Sequence, residues 1–174
     1  MTKYLCAITL PEAITSELAS VQQNYKSSSW NIAIQPHITL MPPARAIVSL
    51  DQVEEILSGI AKNTKPFDIE VEGVDMFENR SNTVFAKVKL SEELLRLYAE
   101  LRRWAPSFVA DLKMENNFHP HVTLSNKLNS VLATQIKSQL AEQRINFIFP
   151  CQSFSLFSKT NSDQQWVEQK RLYF

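Results

Sequence analysis

A chain of 174 residues, 44% hydrophobic and 21% charged, has the size and composition of one globular domain. Its 18 basic side chains balance 18 acidic ones, which argues against a protein that coats long duplex nucleic acid and leaves room only for a small basic patch at an RNA end. Two glycines, Gly59 and Gly73, are too few for Walker or dinucleotide-binding loops, and no apolar run reaches the roughly 18–20 residues of a membrane span.

The first apolar run, Tyr4–Leu10, alternates like a strand, is too short for a signal peptide and stops at Pro11-Glu12. Residues 11–25 read as a helix. The segment Pro36-His37-Ile38-Thr39-Leu40 reads as a strand. A helix is predicted over 49–63, opened by a capping box of Ser49 and Gln52. Residues 67–77 and 83–90 alternate on either side of the polar segment 78–82 and read as a hairpin. A helix over 91–104 places Leu94, Leu95, Tyr98 and Leu101 on an apolar face. Pro120-His121-Val122-Thr123-Leu124 is a second His strand. Asn129 caps a helix over 129–143. Strands are expected within 147–157 and at 165–174. Cys6 and Cys151 sit in strand-like runs and read as small buried side chains of a reducing compartment, so a cytosolic location is expected.

These elements echo one another. Leu5–Glu12 matches Phe85–Glu92 in apolar pattern, and 67–77 matches 147–157, each pair about 80 residues apart. Each half reads strand, helix, His strand, helix, strand. The expectation is an α+β fold, bilobal and internally duplicated, with lobes of approximately 1–80 and 81–174 and room for strand exchange between them. Antiparallel-rich sheets would line a groove and helices would cover the outside.

The chemistry lies in the repeated His-h-Thr-Leu. Alternation along a strand sends His37 and Thr39 to one face and Ile38 and Leu40 to the other. His121 and Thr123 are separated from Val122 and Leu124 in the same way. Duplication brings two imidazoles and two hydroxyls around one cleft. A neutral imidazole can take a proton from water or a ribose hydroxyl, and its protonated partner can give one to a leaving oxygen. The threonines can hold phosphoryl oxygens as charge shifts. Packing alone has no need for histidine at both positions.

The two motifs, quoted in full as Pro36-His37-Ile38-Thr39-Leu40 and Phe118-His119-Pro120-His121-Val122-Thr123-Leu124, resemble those of the 2H phosphoesterase superfamily. The chain most resembles its RNA 2′,3′-cyclic phosphodiesterase and 2′-5′ RNA ligase-like branch. The resemblance extends over nearly the whole chain through length, duplication and element order. It implies a bilobal sheet with both His strands in a central groove, His37 and His121 as acid and base, and Thr39 and Thr123 on phosphate. It implies no metal and no cofactor, and a substrate that is a small nucleotide or RNA terminus with a 2′,3′-cyclic phosphate or a 2′-5′ linkage. Some relatives carry a basic residue directly after the second motif. Here Ser125 and Asn126 stand there, with Lys127 one position further.

Other readings stay open. Cyclic oligonucleotides are rival substrates, and a nucleotide- or RNA-binding module without turnover is the rival from another class. His119 stands outside the repeat, where its counterpart is Gln35. It reads as a rim residue or, with His121 and His37, as part of a three-histidine zinc set. Arg45, Arg80, Lys127, Lys159 and Arg171 are candidate phosphate-steering cations. Trp30, Phe77, Phe157 and Trp166 are candidate base-stacking rings, the two phenylalanines reading better as core. A monomer is expected, with no membrane partner.

Overall fold

The computed structural model describes residues 1–78, 82–161 and 165–174. Its order is β1 (Lys3–Thr9), α1 (Glu12–Tyr25), β2 (His37–Ala46), α2 (Leu50–Lys62), β3 (Phe67–Phe77), β4 (Thr83–Val88) and α3 (Glu92–Trp104). A 3-10 turn follows at Ala105–Ser107, then β5 (Val109–Ala110), β6 (His121–Ser125), α4 (Ser130–Glu142), β7 (Asn146–Cys151), β8 (Ser153–Lys159) and β9 (Val167–Tyr173). The four helices lie within a residue or two of the sequence expectation. The short β5, which pairs with β2, carries no alternating pattern of its own and was invisible in the sequence.

Helix starts follow from side-chain caps. Ser49 accepts the backbone N–H of Gln52, whose own side chain accepts the Ser49 N–H, which closes the capping box. Ser91 accepts from the Leu94 N–H, and Asn129 accepts from the Leu132 N–H. α1 starts after Pro11 without a side-chain cap.

The described strands form one continuous sheet in the order β7-β3-β4-β6-β2-β1-β8-β9, with β5 beside β2. Every pairing is antiparallel. β3, early in the chain, lies beside β4, and β8, late in the chain, lies beside β1. The expected hairpin is present, with Phe77 opposite Thr83.

One face of the sheet is apolar and lies under the helices. Ile8, Ile38, Leu40, Val122, Leu124 and Leu156 are essentially inaccessible there, packed with Leu18, Val53, Leu57, Leu94, Leu101 and Leu140 from the four helices. Leu97 is the buried residue of α3 that the sequence reading passed over; Leu95 points out and is 43% exposed. Cys6 and Cys151 are free and buried, and burial pushes the Cys151 thiol up to about 12 and the Cys6 thiol higher still. The opposite face carries a small separate cluster, Leu5, Ala7 and Phe157 with Ile34 and Trp166, beside the polar groups described below.

Ser49→Ala removes the acceptor of the α2 capping box. Urea unfolding is expected to show a loss of about 1 kcal/mol, with any catalytic parameter unchanged because α2 stands on the far face of the sheet.

Candidate active site

The two His strands meet at a single residue pair. β2 and β6 run antiparallel with Ile38 opposite Val122. Continuing that register one residue each way brings His37 toward Thr123 and Thr39 toward His121. Ile38 and Val122 are fully buried in the helix-side core. Alternation therefore turns His37, Thr39, His121 and Thr123 to the other face, where all four are half-buried. Each His strand is flanked on its far side: Thr9 lies opposite His37 and Ala7 opposite Thr39, while Lys87 lies opposite His121 and Phe85 opposite Thr123.

The two imidazoles are held alike. His37 Nδ1 lies 2.7 Å from the Gln35 carbonyl oxygen, and His121 Nδ1 lies 2.8 Å from the His119 carbonyl oxygen. A carbonyl only accepts, so each Nδ1 carries hydrogen and donates. Each Nε2 is then the atom left to take or give a proton. The partner is two residues back in both cases, across a buried proline, Pro36 or Pro120. Proline fixes its own φ near −65° and so helps hold that carbonyl beside the ring. The proline preceding each motif was the sequence signal for this contact.

Burial pushes both imidazoles below the usual 6.5, and the carbonyl contact opposes this in part. The charge of His121 pushes His37 down further, and that of His119 does the same to His121. Double protonation is therefore disfavoured twice, by desolvation and by repulsion. A pair sharing one proton has one donor and one acceptor at the same pH.

The join between β2 and β6 is braced from α1. Gln22, a buried polar residue, donates its side-chain N–H to the Thr123 carbonyl at 2.7 Å. The fully buried Ser125 hydroxyl donates to the Tyr25 carbonyl, and Ser27 donates to the Asn126 carbonyl at 2.7 Å. Lys127 reaches the Ser29 carbonyl at 3.0 Å. Ser125, Asn126 and Lys127 thus tie the end of β6 to α1 and the segment that follows it. Gln22 and Ser125 were not anticipated from sequence: Gln22 is a polar residue on the buried side of α1, whereas alternation along β6 assigns Ser125 to the face of His121 and Thr123, and the irregular register at that end of β6 turns it to α1.

Recesses open on either side of the four groups. One of about 600 Å³ lies beside His37, walled by Thr15, Gln35, Phe157, Trp166 and Arg171. The other, of about 470 Å³, lies beside His121 and Thr39, walled by Pro42, Phe77, Tyr98, Met114 and Phe118. Both sizes suit a small ligand. A larger recess of about 810 Å³ between α2 and α3 contains no histidine, so size alone does not identify the site.

The remaining candidates separate clearly. His119 is exposed and contributes its carbonyl. No three His, Cys, Asp or Glu side chains group as a candidate metal site among the described residues. Arg45 pairs with Asp111 at 2.9 Å, away from both recesses beside the histidines. Arg171 is at the His37 recess, its guanidinium on Glu168 at 3.0 Å. Lys159 ends β8 opposite Lys3. Arg80 lies outside the described residues. Of the rings, Phe157 and Trp166 wall the His37 recess and Phe77 the His121 recess, while Trp30 lies in the segment before β2. Phe77 was expected in the core and is instead half-buried against His121. Lys87 and Phe85 escaped the sequence reading because only the pairing of β4 with β6 brings them to this face.

Gln22→Leu leaves the Thr123 carbonyl without its partner. The expected result is a loss of about 1–3 kcal/mol in denaturant unfolding, larger than for substitutions at exposed positions of the same helix.

Residues 10–163 match the family model of the 2′-5′ RNA ligase superfamily. A protein of Oceanobacillus iheyensis named as a phosphoesterase is 27% identical over 168 residues, covering 96% of this chain and 95% of its own. One of Geobacillus kaustophilus with the same name is 31% identical over 148 residues, covering 83% and 81%. Among solved structures, Escherichia coli LigT complexed with 3′-AMP superposes with a TM-score of 0.69 at 16% identity, covering 99% of this chain and 98% of LigT. A Thermus thermophilus protein gives 0.68 at 19% identity, covering 98% and 97%. The fold is shared with these structures, and the match along 10–163 assigns the chain to the 2′-5′ RNA ligase superfamily of 2H phosphoesterases.

Proposed function

We propose that this protein is a metal-independent phosphodiesterase that opens a 2′,3′-cyclic phosphate on a small nucleotide or RNA terminus, with His37 and His121 as the proton-transferring pair. The observation that carries the reading is the matched pair of Nδ1–carbonyl contacts, which leaves two Nε2 atoms on one face about one antiparallel residue pair. One Nε2 takes a proton from water as its oxygen bonds to phosphorus. The other gives its proton to the ribose oxygen as that bond breaks. Thr39 and Thr123 donate hydroxyl hydrogens to the non-bridging oxygens, where negative charge accumulates. Imidazole and hydroxyl groups together supply acid, base and oxygen donors, so the scheme needs no metal. Relatives named as phosphoesterases and the 3′-AMP complex of LigT, a ribose phosphate bound to a protein of this fold, support the choice of chemistry and ligand class.

A second reading, cleavage of a 2′-5′ linkage, is favoured by one feature. Each histidine has its own recess, so a nucleoside can sit on each side of a phosphate held between them. A metal-free panel of 2′,3′-cyclic nucleotides and 2′-5′ dinucleotides, with chelator present and products identified, separates the two. Turnover of the cyclic substrates is expected. Turnover of the dinucleotides alone selects the second reading, and activity that follows added metal overturns the mechanism.

His37→Ala and His121→Ala are each expected to lower kcat/KM roughly 10²–10⁴-fold; full activity in either variant contradicts the proposal. Thr39→Val and Thr123→Val are each expected to cost roughly 10–100-fold, from one hydrogen bond to a charged oxygen. Both imidazoles are pushed down by burial, and the singly protonated pair is the working form. The kcat/KM profile should therefore be bell-shaped, with its maximum on the acid side of the ordinary value of 6.5.

A further inference from the structure

On the His37 side, the groove face of the sheet carries a row of direct cross-strand partners. Thr39 on β2 lies opposite Ala7 on β1, Ala7 opposite Ser155 on β8, and Ser155 opposite Arg171 on β9. Direct partners share a face, so the row leads from a threonine of the site to an arginine. Three strand spacings of about 4.8 Å put the Cα atoms of Thr39 and Arg171 roughly 14 Å apart along the sheet. Ala7 and Ser155, between them, are small and fully buried, so they raise no wall across this span. The recess of about 600 Å³ lies on this side, with His37 at one end, Glu168 and Arg171 at the other, and the rings of Phe157 and Trp166 in its wall.

The arginine is held in place. Its Nε donates to Glu168 Oε1 at 3.0 Å and its Nη2 to Oε2 at 3.2 Å. The Ser155 hydroxyl, buried beneath the pair, donates to the same Oε1 at 2.8 Å. Glu168 thus takes the side-on edge of the guanidinium. The end-on pair of N–H groups, one on each terminal nitrogen, is the edge left to meet a ligand, with Tyr173 beside it. Charge decides what that ligand is. Besides His37, the formally charged side chains in the described lining are Glu12, Glu168 and Arg171. Two carboxylates outweigh one guanidinium, so the recess disfavours a second phosphate. It suits a neutral, planar group with two acceptors on one edge.

Guanine presents that edge at O6 and N7, which an arginine fork meets with two parallel hydrogen bonds. Adenine has an N6 amino group where guanine has O6, which sets donor against donor, and the pyrimidines offer no such pair of acceptors on that edge. The span fits as well: the arginine side chain covers part of the distance to Thr39, and a base with its ribose covers the rest. We propose that the recess beside His37 is a base pocket selective for guanine, with Arg171, held by Glu168 and Ser155, as the residue that reads the O6/N7 edge.

This rests on the phosphodiesterase reading given above and adds the base to it. The substrate class becomes a guanosine 2′,3′-cyclic phosphate, free or at the end of an RNA. The phosphate sits at the His-Thr row, the base lies toward β9, and Phe157 and Trp166 offer ring faces for it to stack on. Stacking is indifferent to base identity, so selectivity falls to Arg171.

The test compares kcat/KM for the 2′,3′-cyclic phosphates of guanosine, inosine, adenosine, cytidine and uridine. Guanosine and inosine share O6 and N7, and both are expected to exceed adenosine by roughly 10- to 100-fold, mainly through KM. Arg171→Gln should reverse that order, because glutamine pairs with N6 and N7 of adenine; a loss of structure alone cannot do this. Arg171→Lys keeps the charge without the fork and should shrink the preference to a few-fold, and it decides the matter if Arg171→Gln fails to fold. Equal values for all bases, an adenosine preference in the wild type, or the wild-type order in Arg171→Gln overturns the assignment. So does a gain from an added 5′-phosphate that disappears in Arg171→Gln, since Arg171 would then hold a second phosphate. If no cyclic phosphate is turned over, the phosphodiesterase reading fails by itself, and calorimetry with 3′-GMP and 3′-AMP decides the pocket. Tighter 3′-GMP binding that Arg171→Gln reverses upholds it, and equal affinities overturn it.

Discussion

The site depends on one antiparallel residue pair, Ile38 opposite Val122. It is the register point at which the two His strands touch. Both side chains are fully buried against the helices. Anchoring them inward turns the residues on either side outward, and those residues are His37, Thr39, His121 and Thr123. A slip of one residue in either strand would exchange the polar and apolar faces and put imidazoles into the core. The energy that prevents the slip is therefore ordinary apolar burial on the opposite face. The groove itself need not supply it.

A contact so short needs reinforcement, and α1 provides it. Gln22 satisfies the Thr123 carbonyl, and Ser125 returns a hydrogen bond to the Tyr25 carbonyl. A helix from early in the chain thereby holds the second His strand. The sheet order works to the same end. Outward from the Ile38–Val122 pair, it reads β6-β4-β3-β7 on one side and β2-β1-β8-β9 on the other, so each His strand is fixed on its far side by a long antiparallel neighbour. The polar groups are then presented by strands and not by loops. Two prolines bring the Gln35 and His119 carbonyls to the rings. Strand position, proline and carbonyl together determine which nitrogen of each ring faces the groove.

Much of this was legible in the sequence because it rests on local rules. Ser49 with Gln52, and Asn129, announced their helices through cap chemistry that acts within one turn. The alternation in His-h-Thr-Leu told which side chains share a face. Proline before each histidine was visible, but its purpose needed the distance to the carbonyl two residues back. What escaped depends on pairing between distant segments. Lys87 and Phe85 come to the His face only because β4 lies beside β6. Phe77 looked like core because it and Phe157 recur at equivalent positions of the repeat. The two differ because Phe85 and His121 stand beside Phe77, whereas Leu5, Ala7 and Trp166 surround Phe157. Lys127, one position beyond where some relatives carry a basic residue, donates to the Ser29 carbonyl, a contact between residues 98 positions apart that the sequence did not announce.

The central claim is that the two motifs serve one phosphate. It can be tested without turnover by titrating inorganic phosphate into the protein while following the imidazole signals of His37 and His121. A single phosphate held between them moves both signals along one saturation curve with one Kd and raises both midpoints, since an anion favours each imidazolium. His119, exposed at the rim, should respond weakly. Movement of only one of the pair, or two curves with separate Kd values, would mean that the motifs bind independently and would contradict the account.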